Sequence, residues 1–323
     1  MIIDRDPGAM VIPRIFFTPE RHWLLWQNLA ESDIMLFGDG SRGPVSIASE
    51  FFRENINEFL AKIIRALEAS PYGKHIAGYQ AGGPDHEMFM KGYREKGPDY
   101  CKANQKRFRD FLRGKYGSKN ELAEAWGQPG LTFETAGVPE YQPGRFPMKS
   151  VLPGDQPIRM FYKRPEETPW IDYSLYASQL MSDCIIDWAG VIKKETCSRK
   201  LAVFFYGYTV ELCGSFSGHY ALERILRCED VDILAGPVSY MERLGGKPGA
   251  FMSLVDSITR HGKLWINEDD TRTSVVKEEN IPEWITLWQG SQASSLQETA
   301  GVLSRNLAAA LAHRAGTWWM DLI

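Results

Sequence analysis

Short apolar runs alternate with longer amphipathic stretches along most of the chain. In residues 51–69 and 169–196 apolar side chains recur every three or four positions, the spacing of helices that bury one face. The short runs between such stretches are typical of strands buried in a parallel sheet. Six strands are predicted, at residues 9–17, 75–80, 201–206, 231–235, 264–266 and 317–323.

Helices are predicted between these strands, at residues 51–69, 99–116, 120–126, 169–196, 219–228, 251–260 and 296–313. Regular alternation of strands and helices indicates a parallel sheet with crossover helices. No GxGxxG turn is present, which favours a (β/α) barrel over a nucleotide-binding open sheet. Residues 18–50 are expected to be irregular. Residues 127–170 are rich in Pro and Gly without periodicity, which predicts a lid or the rim of a cleft.

Composition excludes some classes of function. The net charge of −4 and the pI of about 5.9 give no electrostatic footprint for nucleic acid. The five cysteines have no CxxC spacing, which argues against a zinc site and a disulfide framework and indicates a reducing compartment. No apolar run reaches transmembrane length, and the amino terminus does not have the pattern of an export signal. We therefore expect a soluble, cytoplasmic protein.

Two of the predicted strands run into acidic groups. Residues 263–272 (KLWINEDDTR) begin as an apolar run and end with Glu268, Asp269 and Asp270, and residues 75–87 (HIAGYQAGGPDHE) lead through a Gly-rich turn to Glu87. The carboxyl ends of parallel strands are where α/β enzymes carry out chemistry. Two carboxylates on one such rim are what the hydrolysis of a glycosidic bond requires, one as acid and one as nucleophile.

Other interpretations of these acidic groups remain open from the sequence. Glu87 can be a solvated loop residue. Asp269 or Asp270 can be the working group instead of Glu268, or the triplet can pair with Arg272 as a structural network. A divalent ion could bind between Asp85, His86 and Glu87 on one side and Asp269 and Asp270 on the other. No His-x-His or HExxH spacing supports such a site, so neither a metal nor a cofactor is predicted.

Several segments resemble one enzyme family. They are residues 70–72 (SPY) with 76–80 (IAGYQ), 83–89 (GPDHEMF), 111–117 (FLRGKYG), 123–127 (AEAWG), 263–272, 305–311 (RNLAAAL) and 316–321 (GTWWMD). In order and spacing they resemble the clan A glycoside hydrolases with (β/α)8 barrels, and most closely the β-galactosidase-like proteins related to family 42. The resemblance implies an acid/base just after strand four, at Glu87, and a nucleophile at the end of strand seven, at Glu268.

The same resemblance implies which strands are present. The first predicted strand corresponds to the family's strand three and the last to its strand eight. We therefore expect an α/β, TIM-type barrel that is incomplete, with six strands corresponding to strands 3–8 and a long insertion after the second of them. Residues 1–323 are expected to form a single catalytic domain, with the helical and irregular insertion at about 88–168.

Further side chains are candidates for sugar binding. In clan A enzymes a tyrosine near the position of Tyr240 donates a hydrogen bond to the nucleophile. Of the adjacent Trp318 and Trp319, only one can face inward on a strand. The substrate-binding candidates are Gln80, Tyr206, Tyr208, His219, Tyr240, Asp270, Arg272 and Trp318. Structural roles are the alternative for Gln80 and His219, and packing on Pro237 is the alternative for Tyr240.

The expected function is that of a retaining glycoside hydrolase acting on β-linked sugars, by double displacement through Glu87 and Glu268. The alternatives are an inactive or truncated carbohydrate-binding relative and, further from the pattern, a metal-dependent barrel hydrolase. The expected partner is a carbohydrate substrate, with neither nucleic acid nor membrane involved. A homo-oligomer is compatible with the family.

Overall fold

A computed structural model describes residues 2–17, 29–83, 88, 96–141, 162–210, 217–241, 243–277 and 292–320. The chain forms two compact units. The first comprises Met1–Ala202 and Cys213–Ala221, and the second comprises Val203–Leu212 and Leu222–Ile323. The prediction of a single catalytic domain with an insertion at about 88–168 stays a prediction.

The first unit contains two neighbouring parallel strands and the two longest described helices. Its described elements, in chain order, are α1 (Ile2–Arg5), β1 (Arg14–Phe16), β2 (Ile34–Leu36), β3 (Arg42–Val45), α2 (Glu50–Glu68), β4 (Gly78–Gly82), α3 (Lys102–Tyr116), α4 (Lys119–Trp126) and α5 (Thr168–Thr196). β1 pairs in parallel with β4, and Arg14 lies opposite Gln80. The fifth strand, β5 (Leu201–Phe205), begins in this unit, where the Leu201 amide donates to the Ala77 carbonyl.

Local sequence explains where these helices start and how they pack. Ser49 caps α2 by accepting a hydrogen bond from the Phe52 amide at 3.1 Å, which satisfies one of the free donors of the first turn. The apolar face of α2 packs against α5. The ring of Trp188 on α5 lies 5.2 Å from that of Phe17, and both side chains are fully buried. This helix pair forms the core of the first unit.

The described strands of the second unit pair in parallel. Its elements are the remainder of β5, α6 (Leu222–Leu226), β6 (Ile233–Pro237), α7 (Val255–Arg260), β7 (Leu264–Asp269), α8 (Leu296–Ala312) and β8 (Gly316–Trp319). β5 pairs with β6, β6 with β7 and β7 with β8, all in parallel. The register sets Pro237 and Trp318 on either side of Glu268. Parallel neighbours place their carboxyl ends at the same edge of the sheet.

The six predicted parallel strands and the α/β class are confirmed. Some predicted bounds were wrong. Within the stretch expected to be irregular, β2 and β3 form an antiparallel pair, too short for alternation to reveal it. The helix predicted from residue 251 begins at Val255, because Phe251 instead forms an isolated bridge with Val238. No helix in the described parts of the chain has the length together with the apolar character that a membrane crossing needs.

Candidate active site

Three consecutive acidic residues mark the carboxyl end of β7 in the second unit. Glu268 and Asp269 are the last residues of the strand and Asp270 follows it, and each is 1–2% exposed. Burying three carboxylates side by side is unfavourable unless each one has partners. The three side chains differ in the contacts that the structure gives them.

Glu268 is held by a tryptophan of the neighbouring strand. The Trp318 indole Nε1–H donates to Oε1 of Glu268 at 3.3 Å, and the two residues are direct neighbours in the register of β7 and β8. The Trp318 ring packs edge-on against Phe205 at 5.8 Å, which fixes the orientation of the indole. The carboxylate of Glu268 is therefore buried and oriented at the end of a strand.

Asp269 has structural partners. Because side chains alternate along a strand, Asp269 points to the opposite face of the sheet from Glu268. There its Oδ2 accepts a hydrogen bond from the Asn306 side chain of α8 at 3.0 Å, and its Oδ1 accepts one from the Thr271 amide at 3.3 Å. Asn306 is 1% exposed. These bonds attach the end of β7 to helix α8.

Asp270 forms a buried ion pair with Arg243. Nη1 of Arg243 lies 2.8 Å from Oδ1 of Asp270, and the Tyr240 hydroxyl donates to Oδ2 at 3.3 Å. The Arg243 guanidinium lies over the Tyr240 ring at 4.1 Å and also donates to the carbonyls of Val238 and Ser239. Burial raises the pKa of Asp270, while the nearby Arg243 charge acts in the opposite direction. This cluster connects the loops that follow β6 and β7.

Two of these partners were missed by the sequence analysis, which considered Arg272 as the cation for the acidic triplet. Arg243 comes three residues after Tyr240, and only the folded loop shows that it reaches Asp270. Asn306 is on the buried face of α8, but a buried amide gives no signal that a hydrophobic pattern can detect. Arg272 is itself buried at 5% exposure.

Other predicted residues of the second unit are present around this strand end. Tyr206 and Tyr208 are fully buried, and the Tyr208 ring packs closely against the backbone of Gly236. Of the paired tryptophans, Trp318 contacts Glu268, whereas Trp319 is 57% exposed. The roles of Tyr206, Tyr208, Tyr240, Asp270, Arg272 and Trp318 in substrate binding stay predictions.

Three predicted residues belong to the first unit. Gln80 is on β4 and is 5% exposed, and His219 is fully buried. Glu87, the predicted acid/base, lies outside the described residues, as do Asp85 and His86. In the part of the chain that the structure describes, no group of three or more His, Cys, Asp or Glu side chains is arranged to hold a metal ion.

A comparison with known protein families shows which family the chain matches. The β-galactosidase family Glyco_hydro_42 matches residues 29–224, more than half of the chain. This range includes Glu87 but ends before β6, so Glu268 lies outside it. No curated protein sequence matches the chain.

Solved structures establish the fold. The catalytic domain of β-amylase from Paenibacillus polymyxa superposes with a TM-score of 0.59 at 15% identity, covering 93% of this chain and 70% of that one. A β-galactosidase from Rahnella sp. R3 gives 0.60 at 10% identity, with 98% of this chain and 41% of that one covered.

A third similar structure is a β-galactosidase from the Antarctic haloarchaeon Halorubrum lacusprofundi, with a TM-score of 0.52 at 15% identity. The alignment covers 99% of this chain and 41% of that one. The chain thus spans less than half the length of either β-galactosidase. At these identities the likeness shows the fold, which is that of the TIM-barrel glycosidases, with six parallel strands in the described parts of this chain.

Proposed function

Because the chain belongs to the β-galactosidase family of glycoside hydrolases, we propose that it contributes the catalytic strands of a retaining β-glycosidase. The substrate class is a carbohydrate with a β-linked, galactose-like residue at its non-reducing end. Glu268 is the proposed nucleophile and Glu87 the proposed acid/base. The observation that supports this proposal most is the Glu268 carboxylate, buried at the carboxyl end of β7 and oriented by the Trp318 indole.

Glu268 suits the nucleophilic step for geometric reasons. Attack on the anomeric carbon needs an ionised carboxylate that is held so that it approaches the carbon along a fixed direction. The hydrogen bond from the Trp318 indole to Oε1 supports the proposal, because it fixes the orientation of the carboxylate. The attack forms a covalent glycosyl ester on Glu268 with inversion at the anomeric carbon.

Glu87 has the complementary proton-transfer role in the proposal. Its protonated carboxyl donates to the departing glycosidic oxygen in the first step. It then removes a proton from the water that attacks the ester in the second step, and the second inversion restores the β configuration. A retaining mechanism requires the two carboxyl groups to stand about 5–5.5 Å apart.

The neighbouring acids have supporting roles. Asp269 has its acceptor positions engaged by Asn306 and Thr271, and Asp270 is neutralised by Arg243. Asp270 is less suitable than Glu268 for attack, because a carboxylate that is ion-paired with a guanidinium is a weakened nucleophile. Asp269 is less suitable because it points to the opposite face of the sheet. Tyr240 bonds to Asp270, so the loop after β6 is fixed beside the loop after β7.

The test uses glutamine and glycine variants of both glutamates in assays of an aryl β-galactoside. Glu268→Gln and Glu87→Gln are each expected to reduce kcat by about a thousandfold or more, because each removes a group that reacts in the transition state. Glu31→Gln is the matched control, since Glu31 is an exposed glutamate with its side chain 76% accessible.

Azide then distinguishes the two roles. In Glu268→Gly, azide attacks the substrate directly and gives the α-glycosyl azide after one inversion. In Glu87→Gly, azide attacks the covalent intermediate of an activated substrate and gives the β-glycosyl azide. Turnover by both glutamine variants at the rate of the unmodified chain would refute the assignment. Sugar binding without any turnover by the unmodified chain would instead identify an inactive carbohydrate-binding relative.

A further inference from the structure

A groove of 670 Å³ lies on the first unit, and the described residues that line it all belong to helices. Its walls come from α2, α3 and α5, and its charged and amide side chains are Arg53, Arg107, Asp110, Lys115, Gln179 and Asp183. The volume is within the range of about 300–1,000 Å³ that is common for small-molecule sites. Neither the strand ends nor the proposed catalytic residues are part of it.

The cations of the groove are not equivalent. Arg53 forms an ion pair with Asp187, and Lys115 forms one with Asp172. Arg107 is half-buried and makes neither a hydrogen bond nor an ion pair with any residue that the structure describes. A guanidinium in such a position presents several N–H donors in a fixed plane, which is the geometry that binds a carboxylate through two parallel bonds.

The remaining lining restricts the ligand further. Among the described residues, three cations and two carboxylates, Asp110 and Asp183, line the groove. Asp110 also forms ion pairs with Lys106 and Arg113 of α3. This near balance of charge favours an anion with one charge over a multiply charged anion such as a phosphate ester. The same carboxylates accept hydrogen bonds from hydroxyl groups, and the Gln179 amide can both donate and accept. The groove therefore suits a ligand with one negative charge and several hydroxyls.

Aromatic side chains form one wall of the groove. Phe111 is half-buried, stacks parallel to Phe108 with ring centroids 6.2 Å apart, and lies 5.7 Å from Tyr176. A ring held in this way is a rigid surface against which the apolar face of a sugar can pack at low entropic cost. We propose that the groove between α2, α3 and α5 binds a saccharide that carries a single carboxylate, with Arg107 as the anchor for that carboxylate.

Calorimetric titration of the full chain tests the site with three probes: an aldobiouronic acid (a disaccharide with one uronic acid), the neutral disaccharide of the same linkage, and inorganic phosphate. The acidic disaccharide is expected to bind at least about tenfold more tightly than the neutral one. Arg107→Gln is expected to remove about tenfold or more of that affinity, since a charge-assisted hydrogen bond is lost.

Lys102→Gln is the matched control, because it removes one positive charge from an exposed position on the same helix. It is expected to leave the dissociation constant unchanged, and Gln179→Ala is expected to weaken binding about threefold. Melting curves of the Arg107 and Gln179 variants should superpose on that of the unmodified chain. The proposal is overturned by absence of binding, by equal affinity for the neutral disaccharide, by phosphate binding more tightly than the acidic disaccharide, or by equal losses in Arg107→Gln and Lys102→Gln.

Discussion

The hydrogen bond from Trp318 to Glu268 is the residue-scale feature on which the proposed chemistry depends most. An indole Nε1 has one proton and no other polar atom, so its orientation is fully determined by the carboxylate and by the packing on Phe205. A carboxylate held by such a donor does not need to reorganise when it attacks. This is how a hydrophobic strand can position a nucleophile.

Trp318→Phe keeps an aromatic ring beside Phe205 and removes only the Nε1 donor. Because a hydrogen bond to a charged group is worth about 1.5–3 kcal/mol, we expect kcat on an aryl β-galactoside to fall about ten- to a hundredfold. The KM should change much less, since the bond orients the nucleophile. Trp319→Phe, at the exposed neighbouring position, serves as the control. Equal kinetics for the two variants would contradict the positioning role.

Asp99 shows a different use of a buried carboxyl. It accepts hydrogen bonds from the amides of Leu36 and Cys101, so it connects the β2 strand to the start of α3. Burial raises the pKa of Asp99 above its ordinary value of 3.8, although the hydrogen bonds act against the shift. The stability that this group contributes is therefore present below the ordinary pKa and is lost as the pH rises through the raised one.

Asp99→Asn keeps the accepting oxygen and removes the titration. We expect the free energy of unfolding of the unmodified chain, relative to this variant, to decrease as the pH rises from about 4 to about 7. Urea titrations at several pH values measure it. Asp39→Asn should show no such decrease, because Asp39 is exposed and its hydrogen bonds with Ser41 lower its pKa. If this relative free energy of unfolding instead increased with pH, the ionised form of Asp99 would be the one that the fold stabilises.

At the scale of elements, the loop after β6 and the loop after β7 are joined by Arg243. Its guanidinium is fully buried and bonds to Asp270, to the Val238 carbonyl and to the Ser239 carbonyl. Arg305 of α8 then donates to the carbonyl of Arg243 at 2.6 Å. The edge of the sheet that carries Glu268 is thus held by polar bonds on both loops and on the helix.

Replacing Arg243 by Met removes the cation while retaining a flexible side chain of similar length. It leaves Asp270 buried without its counter-ion, and breaking a buried pair in this way costs about 3–5 kcal/mol. We expect the free energy of unfolding in urea to fall by this amount. Arg227→Met, which removes an exposed ion pair with Glu223, should change it little. A second replacement, Asp270→Leu, should recover part of the loss in the double variant, because no unpaired buried charge then remains.

A pair of glycines tests the packing of the second unit. A Cβ at Gly236 would stand 2.5 Å from Cε1 of Tyr208 and 2.8 Å from the Trp265 ring, whereas one at Gly301 of α8 meets nothing within 4 Å. Gly236→Ala is therefore expected to lower the free energy of unfolding by about 1–3 kcal/mol. Gly301→Ala is expected to raise it by about 0.5–1 kcal/mol through helix propensity. Calorimetric melting of both variants checks the opposite signs.

The sequence predicts the elements better than the contacts between them. Periodicity identified α2 and α5 nearly to the residue, because both are long and bury one face. It missed β2 and β3, whose three and four residues are too few to alternate visibly. It placed Glu268 at a strand end, but the partners Trp318, Arg243 and Asn306 come from distant segments. Their contacts depend on loop paths and on which distant segments become neighbours, and the periodicity of one segment does not encode either.

At the scale of the whole molecule, the fold and the family rest on separate observations. The family matches residues 29–224, which include most of the first unit, while the parallel strands β6, β7 and β8 follow that range. The structural likeness to the Rahnella β-galactosidase covers 98% of the chain and so includes both units. The proposed function uses residues from both parts of the chain: the acid/base Glu87 lies within the residues that the family matches, and the nucleophile Glu268 is on β7.

Covalent trapping tests that central claim most directly. A 2-deoxy-2-fluoro-β-galactoside with a good leaving group forms the glycosyl ester quickly and hydrolyses it slowly, because the fluorine destabilises the positively charged transition states of both steps while the leaving group preserves the first. After incubation with the full chain and proteolysis, mass spectrometry is expected to find the fluorosugar on the peptide containing Glu268, with fragmentation locating it on that residue. A label on Asp269, Asp270 or any other residue, or hydrolysis of β-galactosides with no trapped ester at all, would contradict the account.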